Sequence, residues 1–286
     1  MSYELHVAAT AAPTWPALRQ AIALDDLRAL PREDAAEGWP ARGLRLCRVG
    51  RSVRITEVEW LESDRKLKIV LRALPSPEDC DLALRVVEAA AQLAGAAAVE
   101  ADYFGTIDAG ELRKLHTADW MHEQAESGTR ILADLIREGR GPMSMPGPNR
   151  SCFIGTRLLA ELEAAGPPAT LSERVLATMR RVQWDVPAEF RDAGVFESGK
   201  DEALGRELRF AVWLPDENLV IPRVDYVALR VTKGEVLLVP FAAMPELAGP
   251  HGTLLDECQL LVRAMSSDDW TATIARARPL AKPPRK

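Results

Sequence analysis

Tyr3, Leu5 and Val7 are separated by Glu4 and His6, the period-two pattern of a half-buried strand, which predicts β structure over residues 2–8. Thr14 then stands before Trp15-Pro16, a capping residue followed by a proline tolerated in a first helical turn. Residues 31–43 contain Gly38 and Pro40 and read as a loop. Strands are predicted at 44–49, 53–62 and 66–73, the last two joined by a turn at Glu62-Ser63-Asp64-Arg65. Ser76-Pro77-Glu78-Asp79 supplies an N-cap, a first-turn proline and acids for the positive helix end. Leu82, Val86, Ala90 and Leu93 follow at helical spacing, and Gly95 marks the end of that helix.

Residues 99–107 read as one further strand. Asp108 and Glu111 resemble a capping box and open a helical region to about Gly128, resuming over 129–138. The glycine- and proline-rich stretch 139–149 reads as irregular, and Cys152-Phe153-Ile154 as a short strand. Helices are predicted at 156–165, stopped by Gly166-Pro167-Pro168, and at 171–183 behind Thr170 and Glu173. A polar stretch runs from Phe196 to Arg206. Leu208, Phe210, Val212 and Leu214 then alternate, Leu219–Ile221 is a short apolar run, and 226–231 and 235–239 flank a Thr232-Lys233-Gly234 turn. Helices at 253–265 and 267–276 close the pattern, before a proline-rich cationic tail from Pro279. This order predicts an α+β fold: mixed or antiparallel sheets with helices packed on one face, in two α/β halves, 1–155 and 156–286.

The composition, 47% hydrophobic and 27% charged, is that of a chain able to bury a core. A net charge of −6 opposes a role in gripping phosphate backbones, so nucleic acid is not expected as a ligand; it suits a basic protein partner instead. No apolar run is long enough for a membrane helix, and the N-terminus lacks the cationic start of a secretory signal. Cys47, Cys80, Cys152 and Cys258 are widely spaced, as expected of reduced thiols in a cytoplasm.

Catalytic patterns are sparse. No GxSxG elbow, HExxH pair or phosphate-cradling loop is present, and no metal or cofactor is expected. Two groups of residues stand out as binding candidates. Asn149 and Arg150 end a stiff Gly/Pro segment, Gly141 to Arg150, that either presents them to a ligand or fixes the next strand. His116, Asp119, Trp120 and Glu123, with His122, form the densest polar-aromatic cluster; an interface hot spot competes there with an ordinary amphipathic helix. His116 and His122 are six residues apart, which on one helix would point them away from a common metal. Trp39, in Glu37-Gly38-Trp39-Pro40, is the tryptophan expected nearest the surface.

The opening Met1-Ser2-Tyr3-Glu4-Leu5-His6-Val7, with Pro146-Gly147-Pro148-Asn149-Arg150 and the run from Ile221 to Leu229, resembles a loose group of uncharacterised bacterial proteins. That group includes proteins thought to act as immunity proteins, which neutralise toxins delivered between bacteria. The resemblance implies a binding role and carries over no site residue. With the acidic balance it leads to the expectation of a non-catalytic cytosolic protein that neutralises a cognate basic toxin. The rival expectation is an enzyme acting on a small polar substrate in a cleft between the halves, lined by Asn149, Arg150 and the 116–123 helix.

Overall fold

The computed structural model describes residues 2–30, 39, 43–201, 205–232 and 235–281. They divide into two compact units at Asp185/Val186, 30 residues beyond the boundary expected from sequence. The fold is α+β, with antiparallel and mixed sheets.

The first unit is built on β1 (Ser2–Ala8), α1 (Trp15–Ile22), β2 (Leu27–Leu30), β3 (Leu44–Arg48), β4 (Thr56–Leu61), β5 (Lys66–Arg72), α2 (Pro77–Ala94), β6 (Ala98–Ala101) and β7 (Gly105–Asp108). The seven strands form one antiparallel sheet in the order β2-β3-β4-β5-β1-β6-β7. The first strand is thus interior, with β5 on one side and β6 on the other. Its inward residues Tyr3, Leu5 and Val7 are buried with Leu67, Ile69 and Leu71 of β5. On top lies α2, which buries Leu82, Val86, Val87 and Ala90, with α1 beside it through Trp15, Leu18 and Ile22. The opposite face carries charge: Lys68–Glu4 at 2.8 Å, Lys66–Glu100 at 2.7 Å and Arg72–Glu57 at 2.5 Å. Alternation in sequence has become an apolar face under helices and a cross-strand ladder of ion pairs.

The remainder of this unit comprises α3 (Leu112–Leu115), α4 (Ala118–Arg137), β8 (Met143–Pro146), β9 (Ser151–Ile154), α5 (Thr156–Ala164) and α6 (Leu171–Trp184). Both helices assigned to the second half from sequence lie here, α6 against α4 and β9. Three local expectations change. Residues 98–108 are a hairpin and not one strand, because Asp102-Tyr103-Phe104-Gly105 turns the chain back. Helix α4 runs unbroken through Gly128; a Cβ there would meet the Leu74 backbone nitrogen at 2.9 Å, so the glycine is explained by close approach of the 73–75 segment. The stretch 139–149 contains β8, an edge strand that pairs only with β9 and so tolerates Pro146 at its end. Of the predicted loop 31–43, only Trp39 and Gly43 are among the described residues.

The second unit holds β10 (Arg191–Asp192), β11 (Val195–Asp201), β12 (Arg206–Trp213), β13 (Leu219–Ile221), β14 (Tyr226–Thr232), β15 (Glu235–Pro240), α7 (Met244–Ala248), β16 (Gly252–Leu254), β17 (Leu260–Val262) and α8 (Ser267–Ala277). Two mixed sheets, β10-β13-β17-β16 and β11-β12-β14-β15, contain the parallel pairs β10/β13 and β12/β14. Their core centres on Trp213, fully buried edge-on to Trp270 at 5.2 Å. On β12 the buried face is Ala211 and Trp213; Leu208, Phe210 and Val212, the alternation visible in sequence, lie half-buried on the other side. Residues 253–265 are a second hairpin in place of a helix. Leu260 and Val262 are buried, and β17 pairs on both edges, between β13 and β16.

Inside the first unit, Asp79 closes the capping box of α2: its Oδ2 accepts from the Ser76 amide at 2.9 Å and also from the amides of Val53 at 3.3 Å and Arg54 at 3.2 Å. Burial pushes its carboxyl up to about 6, against the pull of those donors. A carboxyl that holds its proton more tightly folded than unfolded makes stability fall as pH rises. Denaturant titrations between about pH 4 and 7 should therefore show a loss on the order of 3 kcal/mol attributable to this group. In Asp79→Asn that slope should vanish; an unchanged slope would assign it elsewhere.

Candidate functional site

The two groups of candidate residues have different fates. Asn149 and Arg150 close the β8–β9 hairpin and are latched to the end of α6. Gln183 Oε1 accepts from the amides of Asn149 at 2.9 Å and Arg150 at 3.2 Å, while its Nε2 donates to the Arg150 carbonyl at 2.7 Å. The Asn149 side chain donates to the Gln183 carbonyl at 2.6 Å and accepts from Arg28 at 2.8 Å. Arg28 in turn lies over the Trp184 ring at 5.4 Å, and the Trp184 indole donates to the Ser52 carbonyl at 2.7 Å. Gly147 is required at this latch because a Cβ would sit 2.5 Å from the Gln183 side chain. Asn149 is thus engaged in holding α6, and with it residues 156–184, to the first unit. Trp39 is half-buried against the core of the same unit.

The His116 group gathers aromatic neighbours that the sequence did not reveal. The chain breaks between α3 and α4, and His116 sits in that break, off the helix that carries Asp119, Trp120 and Glu123. Thr117 caps α4 by accepting from the Trp120 amide. The buried imidazole lies 2.8 Å from the Leu112 carbonyl through Nδ1 and 2.6 Å from the Tyr3 hydroxyl through Nε2. A carbonyl only accepts, so Nδ1 carries the proton and Nε2 accepts from Tyr3. Burial lowers the His116 pKa, opposed by the bond to Leu112, and so favours the neutral ring. Burial, with Asp102 and Tyr103 adding to it, raises that of Tyr3. Around this pair Trp120 packs edge-on to His116 at 4.6 Å and to Tyr3 at 5.1 Å, and Phe104 edge-on to His116 at 5.2 Å.

Tyr103 completes the cluster from the tip of the β6–β7 hairpin. Its ring stacks on Tyr3 at 6.1 Å, yet 80% of the residue is exposed. Its φ is +66°, the left-handed region where a side chain costs about 1–2 kcal/mol and where glycine is the easy choice. Ala23, Arg65 and Leu74 share this left-handed φ, so what sets Tyr103 apart is the exposure of its ring. Beside it opens a cleft of about 200 Å³ whose lining includes Tyr3, Arg72, Tyr103, Gln124, Ser127 and Gly128. Asn149 and Arg150 do not line it. Asp119 and Glu123, one turn apart, are exposed on α4.

Among the described residues no cluster of three or more His, Cys, Asp or Glu is placed to hold a metal. The four cysteines are buried, and no described helix is long and apolar enough to cross a membrane. Comparison with known protein families, with curated proteins and with solved structures returns no match.

The latch makes a direct prediction. Gln183→Ala strips the acceptor from two amides and the donor from one carbonyl, and should cost roughly 3 kcal/mol in urea denaturation. It should also free the 147–150 turn for hydrogen exchange. A loss within about 0.5 kcal/mol, the usual range for an inconsequential surface change, would deny the latch.

Proposed function

We propose that this chain is a cytoplasmic, non-catalytic binding protein of toxin-immunity type, and that it engages a basic protein partner through the aromatic surface around Tyr103. The observation that carries the reading is Tyr103 itself, an exposed ring at φ +66° that lines a cleft and stacks on Tyr3, against which Trp120 also packs. Aromatic residues at the centre of a patch with a polar rim are the usual anchors of protein interfaces.

Charge supports the choice of partner. From Leu115 to Thr129 the sequence contains Asp119, Glu123 and Glu126 and no lysine or arginine. Asp119 and Glu123 are exposed on α4, the helix that carries Trp120, and would steer a basic surface toward it. The chemistry of the cluster also favours binding over catalysis. The imidazole of His116 has both nitrogens engaged, and its hydroxyl partner on Tyr3 is held protonated. Neither is poised to exchange a proton with a substrate at neutral pH.

Affinity capture of the tagged full chain from cells of its source tests this reading, run beside the double charge variant Asp119→Lys/Glu123→Lys. The expected result is one basic protein at near-equal stoichiometry, released as salt rises and held at least about tenfold more weakly by the variant. A partner held equally by both forms, or an acidic partner, would contradict the proposal.

A further inference from the structure

We infer that the cleft beside Tyr103 is the socket for one cationic side chain of that partner, an arginine laid against the Tyr103 ring. The inference rests on the protein-binding reading above and assigns the chemistry of its central contact. Four observations converge on it. The cleft, at about 200 Å³, is sized for a single side chain, being modestly larger than the ~150 Å³ that encloses a benzene ring. Its aromatic wall is Tyr103 stacked on Tyr3, and the exposed face of such a ring attracts a guanidinium through its quadrupole. Helix α4 contributes Gln124 and Ser127 to the lining, and their side-chain oxygens can accept hydrogen bonds from the planar N–H fork of arginine.

The electrostatics at the rim are compatible with a cation. Arg72 is the one charged residue among those lining the cleft, and Glu57 meets its guanidinium at 2.5 Å. Asp102 precedes Tyr103 and lies close enough to raise the Tyr3 pKa; one of its oxygens accepts the Glu4 amide at 2.8 Å. Glu123 stands next to Gln124 on α4 and is exposed. Arg72 is thus matched by Glu57, while Asp102 and Glu123 add negative charge near the cleft and Arg130, next to the lining residue Ile131, adds one further cation. Tyr103 is held in place by the hairpin turn, so its ring is positioned before the partner arrives and little ordering remains to oppose binding.

The backbone strain yields an unusually clean variant. Tyr103→Gly removes the ring and places at φ +66° the residue that favours that conformation, so folding should be retained. The experiment is a titration of the full chain with N-acetyl-arginine amide, followed by amide and tyrosine-ring NMR shifts. Matched titrations use the neutral N-acetyl-norleucine amide and the anionic N-acetyl-glutamate amide. The arginine probe should bind with a dissociation constant of about 1 mM, the range open to a ligand of that size, with shifts centred on Tyr3, Tyr103, Gln124 and Ser127. The norleucine probe should bind roughly tenfold more weakly, the glutamate probe should not bind, and Tyr103→Gly should lose the response while melting as the wild type does.

Equal binding of the norleucine probe would make the socket merely apolar. Preference for glutamate would assign the cleft to Arg72 and an anion, and absence of shifts at saturating arginine probe would remove the socket; each overturns the inference. Capture of the partner by Tyr103→Gly keeps the two levels apart. If capture fails with Tyr103→Gly but the arginine probe does not bind, the docking surface stands and the arginine assignment falls. If capture is undiminished, the surface itself is misplaced.

Discussion

The hydrogen bond from the Tyr3 hydroxyl to His116, 2.6 Å long and buried, joins residues 113 apart in sequence and organises everything around the candidate site. Tyr3 can make it because β1 is an interior strand of the sheet, fixed on one edge by β5 and on the other by β6. Pairing on both edges holds the Tyr3 ring on the helix-covered face at the end of the strand, within reach of both the β6–β7 hairpin tip and the α3–α4 break. His116 then needs its Nδ1 proton directed to Leu112 so that Nε2 is left bare for Tyr3. One tautomer satisfies both partners in a buried setting, where an unmade bond would be costly. The stack of Tyr103 on Tyr3 and the edge contacts of Trp120 and Phe104 are built on that fixed pair.

A second polar assembly does the same for the other end of the first unit. Asp79 ties the start of α2 to residues 53–54, Arg54 reaches the Pro146 carbonyl at 2.8 Å, and Gln183 holds the turn that follows. Four segments distant in sequence meet through side-chain bonds to backbone groups. This explains why α5 and α6 belong with the seven-stranded sheet. It also separates the two candidate groups by purpose: Asn149 is committed to architecture, whereas Tyr103, Asp119 and Glu123 keep solvent-facing surface.

Much of the fold was legible in local signals, and its failures follow a rule. The starts of α1, α2 and α6 were readable because Thr14, Ser76 and Thr170 cap their own helices within three residues. Strands 2–8 and 66–72 were readable because one face of each is buried and the other charged. The hairpin at 98–108 was missed although Asp102 and Gly105 are turn residues, since the apolar Tyr103 and Phe104 between them imitate a continuing strand. The hairpin at 252–262 was missed because its β identity comes from pairing with β13, which no local pattern reports. On β12 the visible alternation marked the half-buried side, while Trp213 and Ala211 form the core side. At the site, His116 and Trp120 were visible as a cluster, but Tyr3 and Tyr103 joined them only through sheet topology.

His116, held between Tyr3 and Leu112, is placed to act as a neutral structural acceptor. Nitrogen-15 NMR of the imidazole, followed from about pH 6 to 8 where a free histidine titrates, tests it most directly. A single neutral form should persist, protonated on Nδ1 and bare on Nε2. An imidazole that titrates near its ordinary value, or carries its proton on Nε2, would contradict it and make the cluster a candidate for proton transfer.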